Sequence, residues 1–133
     1  MKKLLFFLCL SIALLSCNKD NPKSSLSGTI WFTTLGSTDG NLAIEFTSDS
    51  SVKTYKCSED LQVYEKTIRT GSYSKDGDNI TFNGLTYYRL TGDGSVLRGT
   101  LNSNGIHMSV TLKYHVKIIE KDYEESYSFV KKK

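Results

Sequence analysis

From residue 28 onward the apolar and polar positions alternate with a period of two. Leu42, Ile44 and Phe46 alternate with Ala43, Glu45 and Thr47, while Met108, Val110, Leu112, Tyr114, Val116 and Ile118 alternate with His107, Ser109, Thr111, Lys113, His115 and Lys117. Such a pattern marks β-strands with one buried and one wet face. Between the runs stand Asp39-Gly40, Ser48-Asp49-Ser50, Asp76-Gly77, Asn83-Gly84, Asp93-Gly94 and Asn104-Gly105. Asn-Gly and Asp-Gly supply the positive φ of tight hairpins, so successive strands are expected to pair antiparallel.

This reading predicts strands at 28–35, 41–47, 52–57, 61–73, 79–83, 85–91, 96–102, 107–119 and 123–130, and no segment has sustained helical periodicity. Eight or nine short strands cannot remain a flat sheet, because long unpaired edges and an uncovered apolar face would be left. The expected fold is all-β, a small antiparallel up-and-down β-barrel, with a tight β-sandwich as the alternative. The barrel is preferred because consecutive hairpins are the simplest connections and no long crossover is present. Ten Gly against one Pro, with eight Tyr and six Phe, agrees with a β-rich domain.

The N-terminus follows a different pattern. Lys2 and Lys3 precede an apolar stretch from Leu4 to Leu15 that only Ser11 interrupts, too short for a permanent membrane span and right for an export signal. It ends in Leu14-Leu15-Ser16-Cys17, which resembles the bacterial lipobox, with Leu three before the Cys and a small residue directly before it. The resemblance implies cleavage between Ser16 and Cys17, diacylation of the Cys17 sulfur and acylation of the new amine. Burial contributes about 0.8 kcal/mol per CH₂, and one chain holds only marginally, so several chains make a stable anchor. The expected organisation is a signal peptide at 1–16, lipidated Cys17 with a flexible tether at 17–27, and a folded domain at 28–133. Residues 18–27, NKDNPKSSLS, are polar, lack periodicity and include the single proline, Pro22; ten such residues reach roughly 15–20 Å root mean square.

Processing changes both the charge and the cysteine count. Loss of Lys2 and Lys3 takes two of 17 basic residues, leaving 15 against 14 acidic, so no strong field steers nucleic acid. Lys131, Lys132 and Lys133 form a terminal run, expected to be a solvated end that keeps the last strand soluble, with contact to anionic headgroups near the anchored membrane as the alternative. Of three Cys, Cys9 leaves with the signal and Cys17 carries lipid, so Cys57 remains alone in the domain, expected to be a small buried hydrophobe. Asn18, two positions into the mature chain, resembles the sorting residue of lipoproteins sent to the outer membrane. Whether the chain faces the periplasm or the cell surface stays open, since Lys19-Asp20 only weakly matches the acidic surface-export signals of Bacteroidota-type lipoproteins.

A wider resemblance rests on the order of several short pieces. Leu26-Ser27-Gly28-Thr29-Ile30-Trp31, the strand ending in Phe46 with Ser48-Asp49-Ser50-Ser51-Val52 after it, Gly71-Ser72-Tyr73, Asp76-Gly77-Asp78-Asn79-Ile80-Thr81-Phe82, and Tyr127-Ser128-Phe129-Val130-Lys131 resemble the small lipocalin-like lipoproteins of Bacteroidota. The resemblance covers nearly the whole mature domain and implies a lipocalin-like barrel at the cell envelope. True lipocalins begin Gly-x-Trp, whereas Gly28 and Trp31 are three apart. In an unbroken strand that difference turns Trp31 to the other face.

Signals of catalysis are sparse. His107 and His115 share a parity but lie roughly 26 Å apart along one strand, too far to share a metal, and both fall among outward polar positions. No Cys or His cluster has zinc spacing. Asp76-Gly77-Asp78-Asn79 reads as a hairpin turn rather than a calcium loop, because Ile80 stands where a ligand is required. The Gly92-Asp93-Gly94 run has neither phosphate-loop nor dinucleotide spacing, and no Gly-x-Ser-x-Gly elbow occurs. The adjacent carboxylates Glu59-Asp60 and Glu124-Glu125 would point to opposite faces of a strand. No cofactor and no enzymatic activity are expected.

Binding is the remaining class. Trp31, Tyr73, Tyr87, Tyr88 and Arg89 are the candidate ligand-binding residues, since Tyr and Trp join an apolar body to a hydrogen-bonding tip. An eight-stranded barrel is wide enough either to be filled by its own side chains or to hold one small ligand. Two functions follow: a membrane-anchored carrier of a small apolar ligand, or a filled-barrel adaptor or inhibitor that meets a protein or glycan through its loops, including the 57–66 segment.

Overall fold

The computed structural model of the 133-residue chain describes residues 25–35, 40–85 and 96–133. The export signal, Ser16, Cys17, the tether up to residue 24, Tyr87, Tyr88, Arg89 and the Gly92-Asp93-Gly94 run lie outside the described residues. Eight strands follow in chain order: β1 (Ile30–Thr34), β2 (Asn41–Phe46), β3 (Ser51–Cys57), β4 (Arg69–Asp76), β5 (Asn79–Asn83), β6 (Val96–Leu101), β7 (His107–Val116) and β8 (Lys121–Lys131). Each pairs antiparallel with the next, and β8 returns to β1, closing the barrel. Closure removes the sheet edges that an open arrangement of these strands would expose.

The inward face of each strand builds one core. Trp31, Leu42, Ile44, Phe46, Val52, Tyr73, Ile80, Phe82, Leu97, Leu101, Met108, Val110, Leu112 and Phe129 are all buried in it, together with Leu26 from the entry segment. Burial of each large apolar side chain contributes about 1.5–3 kcal/mol, so these rows, rather than strand propensity, set the register. Two glycines make the packing possible. A Cβ on Gly71 would stand 2.7 Å from the Asn83 carbonyl oxygen and 2.9 Å from the Leu85 nitrogen, and one on Gly99 would stand 3.2 Å from the Phe82 ring.

A second, smaller cluster lies on the outside of the wall. Ala43, Tyr55 and Cys57 point outward from β2 and β3 and are buried there, with half-buried Ile30, Phe32, Leu61, Val63 and Ile68 packed against them. The covering segment 58–68 is held by one isolated bridge, Cys57 to Val63, and by the Tyr64 amide donating to the Lys56 carbonyl at 3.0 Å. Thr67 Oγ1 accepts from the Lys56 amide at 2.8 Å. Cys57 is therefore a buried free thiol, as its place at a strand end suggested.

Three expected strands differ in detail. The 61–73 strand is instead the strap just described, with a 3-10 turn at Glu65–Thr67, followed by β4 from Arg69. Leu61 takes φ 64°, which breaks extension, and the apolar residues of 61–68 find their burial against the outer wall instead of in the sheet. The 107–119 strand stops at Val116. Lys117–Ile119 form a 3-10 turn closed by Glu120 at φ 48°, and Ile118 is 95% exposed although its parity matched the core. The 85–91 strand falls mostly outside the described residues, and Leu85 itself is buried outside any strand.

Candidate binding site at the far end of the barrel

The strand directions give the barrel two unlike ends. β1, β3, β5 and β7 run away from the entry segment and β2, β4, β6 and β8 run back. The entry residues and the turns after β2, β4 and β6 therefore cluster at one end, called the tether end. The 58–68 strap and the Lys117–Ile119 turn belong to the other.

The tether end is plugged. Trp31 is 1% exposed and its indole Nε1 donates to Thr29 Oγ1 at 2.9 Å, while Thr29 Oγ1 donates to the Leu26 carbonyl at 2.6 Å. Its inward direction corrects the expectation from Gly28 spacing. Gly28 sits at φ +78° in a turn before β1 starts, so no strand parity links the two residues. Tyr73 packs edge-on against Phe46 with ring centroids 4.7 Å apart, and its hydroxyl donates to the Ser48 carbonyl at 3.0 Å. Burial, and next to it the charge of Asp49, raises the Tyr73 phenol above its ordinary value. Both candidate ligand-binding residues that the structure describes thus have their polar tips satisfied by the chain itself.

Towards the far end the inward row changes character. Phe129 is buried, but Tyr127, Glu125 and Tyr123, each two residues further along β8, are half-buried, and Tyr114 of β7 stands directly across from Tyr123. The two rings stack with centroids 5.3 Å apart and 12° between planes. Glu125 accepts from the Tyr114 hydroxyl at 2.8 Å through Oε1 and from the Tyr127 hydroxyl through Oε2. The hydrogen bond to this carboxylate, more than burial, raises the Tyr114 phenol above its ordinary value. Tyr114 and Tyr127 also pack on the main core. A carboxylate inside a barrel wall needs such donors, because an unpaired buried charge is costly.

The neighbouring outward residues brace the same hairpin. Lys113 Nζ lies 2.9 Å from Glu124, and His115 Nδ1 lies 2.7 Å from Asp122 with its Nε2 3.4 Å from Glu120. Tyr114 and Tyr123, with Lys113, His115, Asp122 and Glu124, line a cleft of about 480 Å³. Glu124 and Glu125 do take opposite faces, as their adjacency predicted, yet the inward member is the more informative one. Its signal in the sequence was the spacing Tyr123, Glu125, Tyr127, Phe129, an every-second-residue row in which one acidic position interrupts aromatics. The sequence singled out Tyr114, Tyr127 and the carboxylate separately, without a signal that joins them. His107 and His115 are both outward, and His115 is engaged by two carboxylates. Among the described residues no three His, Cys, Asp or Glu side chains gather as a metal site.

Within the 57–66 segment, considered as a partner-binding surface, Leu61 and Val63 pack on the outer wall beside Cys57. Tyr55, beneath the segment, donates to Glu45 Oε2 at 3.0 Å, and Lys53 reaches the same carboxylate at 3.1 Å. Burial first, then the Glu45 hydrogen bond and charge, raises the Tyr55 phenol well above its usual range. Burial also raises the Cys57 thiol, which disfavours the nucleophilic thiolate. The strap leaves Glu59, Asp60, Gln62, Tyr64, Glu65 and Lys66 exposed, Tyr64 at 52%.

The fold defines the chain as a closed eight-stranded antiparallel barrel with a packed interior and a tyrosine–carboxylate cluster toward one end. No family model, curated protein or solved structure matches the chain.

Proposed function

We propose that the chain is a lipocalin-like lipoprotein of the bacterial cell envelope, anchored in the outer membrane through acylated Cys17, whose filled barrel presents its far end to a protein or glycan partner. The observation that carries the adaptor over the carrier of a small apolar ligand is the occupied interior. Trp31, Phe46, Phe129, Ile44, Ile80, Met108, Leu112, Val52 and Val110 are each less than 2% exposed, a packed column where a carrier would keep space. Ser25, the first described residue, lies at the plugged end, so a chain anchored through Cys17 would enter the barrel at the end opposite the tyrosine–carboxylate cluster. Glu125, which accepts one phenol on each oxygen, and the Tyr114, Tyr123 and Tyr127 rings around it offer hydrogen-bonding groups and aromatic surface suited to binding a partner.

The small-ligand reading has one supporting feature, the half-buried Tyr114, Tyr123 and Tyr127, and it is confined to that far end. Native mass spectrometry of residues 24–133, purified gently and compared with the denatured mass, separates the two. A bare monomer is the expected result. Extra mass lost on denaturation, and lost again in Tyr127→Ala, would replace the adaptor by a carrier. Metabolic labelling with a radioactive fatty acid tests the anchor, with incorporation expected in the wild type and absent in Cys17→Ser.

A further inference from the structure

The terminal lysines are not a loose tail. Ile30 donates to the Lys133 carbonyl at 3.0 Å and Lys132 donates to the Ile30 carbonyl at 2.8 Å, while Lys131 pairs with Trp31 across the β1–β8 seam. The run is thereby fixed at the plugged end, exposed along its length. The Lys131 amide donates to the Ile106 carbonyl at 2.8 Å, which sets beside it two exposed apolar residues, Ile106 at 49% and Val130 at 38%. Lys131 also walls a cleft of about 380 Å³ with Ser103 and Asn104, side chains able to hydrogen-bond a phosphate.

Ser25 lines the same cleft, so the chain leaves toward Cys17 from this end. The eight residue steps between Cys17 and Ser25 span at most about 29 Å when fully extended. The acidic groups near this end are Glu45 of β2, opposite Ile30 and held by Lys53 at 3.1 Å, Asp49, which accepts from Ser25 Oγ at 2.6 Å, and Asp76 and Asp78 around the β4–β5 hairpin. None of them is paired with the lysine run among the described ion pairs.

We infer that the tether end is a second membrane contact, in which Lys131, Lys132 and Lys133, flanked by Ile106 and Val130, rest on an anionic phospholipid surface. The inference depends on the acylated anchor of the proposed function for its proximity to lipid. Anionic headgroups attract a cation held within a Debye length, and single-chain attachment is reinforced by a basic patch in the same way. Ile106 and Val130 would enter the headgroup layer while the lysine stems keep their ammonium groups at its surface. The contact would hold the barrel upright, with its tyrosine–carboxylate cluster directed away from the bilayer.

Trp31, the single tryptophan, reports on this end. The acylated full chain is reconstituted into phosphatidylcholine vesicles, or into vesicles with about one third phosphatidylglycerol, each carrying headgroup spin-labelled lipid, a short-range quencher. Quenching of Trp31 is expected to be roughly twofold stronger on the anionic vesicles and to fall to the neutral level in about 1 M salt, where the Debye length is ~3 Å. The triple variant Lys131→Gln, Lys132→Gln, Lys133→Gln should lose the difference while keeping the wild-type emission maximum. Ile106→Ser, which leaves the charge unchanged, should reduce it in part. Equal quenching on both vesicles, or a difference that survives the triple variant, overturns the contact. Flotation reads the anchor separately. Failure to float with phosphatidylcholine vesicles overturns the anchor, and lysine-dependent flotation with the anionic vesicles alone would still support the contact. Flotation with neither overturns both.

Discussion

The Tyr114 hydroxyl donates to the Glu125 carboxylate across the β7–β8 pair at 2.8 Å, joining two inward residues of neighbouring strands. The bond stabilises the neutral phenol, because a phenolate beside a carboxylate is repelled. In Glu125→Gln the Tyr114 pKa is expected to move down toward its ordinary value of 10.0. Carbon-13 labelling of the tyrosine rings and an NMR titration reads the shift, and an unchanged Tyr114 would show that Glu125 does not govern it.

Tyr55 gives the barrel a calculable weakness in alkali. Its folded pKa is raised above the unfolded value of 10.0, so the stabilisation linked to the neutral phenol is fully present below about pH 10 and is lost as pH rises above it. Urea midpoints measured at pH 8 and at pH 11 should therefore fall for the wild type. The fall should be smaller in Tyr55→Phe, once the contribution of Tyr73, raised mainly by burial, is matched by a Tyr73→Phe control.

Gly71 is required by proximity rather than by backbone angle. Backbone atoms of Asn83 and Leu85 stand where a methyl group would go, and backbone cannot swing aside as a side chain can. Gly71→Ala is expected to cost about 1–3 kcal/mol by overpacking. Gly99→Ala should cost less, because its neighbours are the side chains of Phe82, Ile80 and Met108 at 3.2–3.4 Å. Chemical denaturation ranks the pair, and the reverse order would sink the argument.

Cys57 is predicted to be silent in the native state. Its thiol is 1% exposed beneath the strap and shifted toward the protonated form by burial. An aromatic disulfide reagent at neutral pH should react with it only at the rate at which the strap opens. Leu61→Ala, which removes apolar cover from above Cys57 and leaves the barrel interior untouched, should raise that rate several-fold while shifting the global unfolding midpoint little.

The inward rows of β2 and β7 were legible because their alternation runs unbroken, and the hairpin turns were legible because Asn-Gly and Asp-Gly demand a particular backbone. Where alternation was taken too far, at Val116 to Ile118, a local turn at Glu120 overrode it. The strap was misread for a different reason. Leu61, Val63 and Ile68 are apolar because they cover the outside of the wall, and a one-dimensional pattern does not say which surface a residue covers. The far-end cluster combines both difficulties. Tyr114 and Glu125 lie eleven residues apart and meet only because β7 and β8 pair in one register.

The seam between β1 and β8 aligns only Trp31 with Lys131 and Phe32 with Val130, whereas β7 and β8 align ten residue pairs. Closing it brings together segments about a hundred residues apart in the chain, the most distant pairing in the barrel, so its loop-closure entropy must be met before any contact there is rewarded. The long hairpin of β7 and β8 can form early and locally, while the ring shuts last. A chain emerging N-terminus first, as in the export proposed above, would pair β1 with β2 yet leave the other edge of β1 open until residues 130 and 131 had emerged. The interval before ring closure is when another chain could pair with that strand.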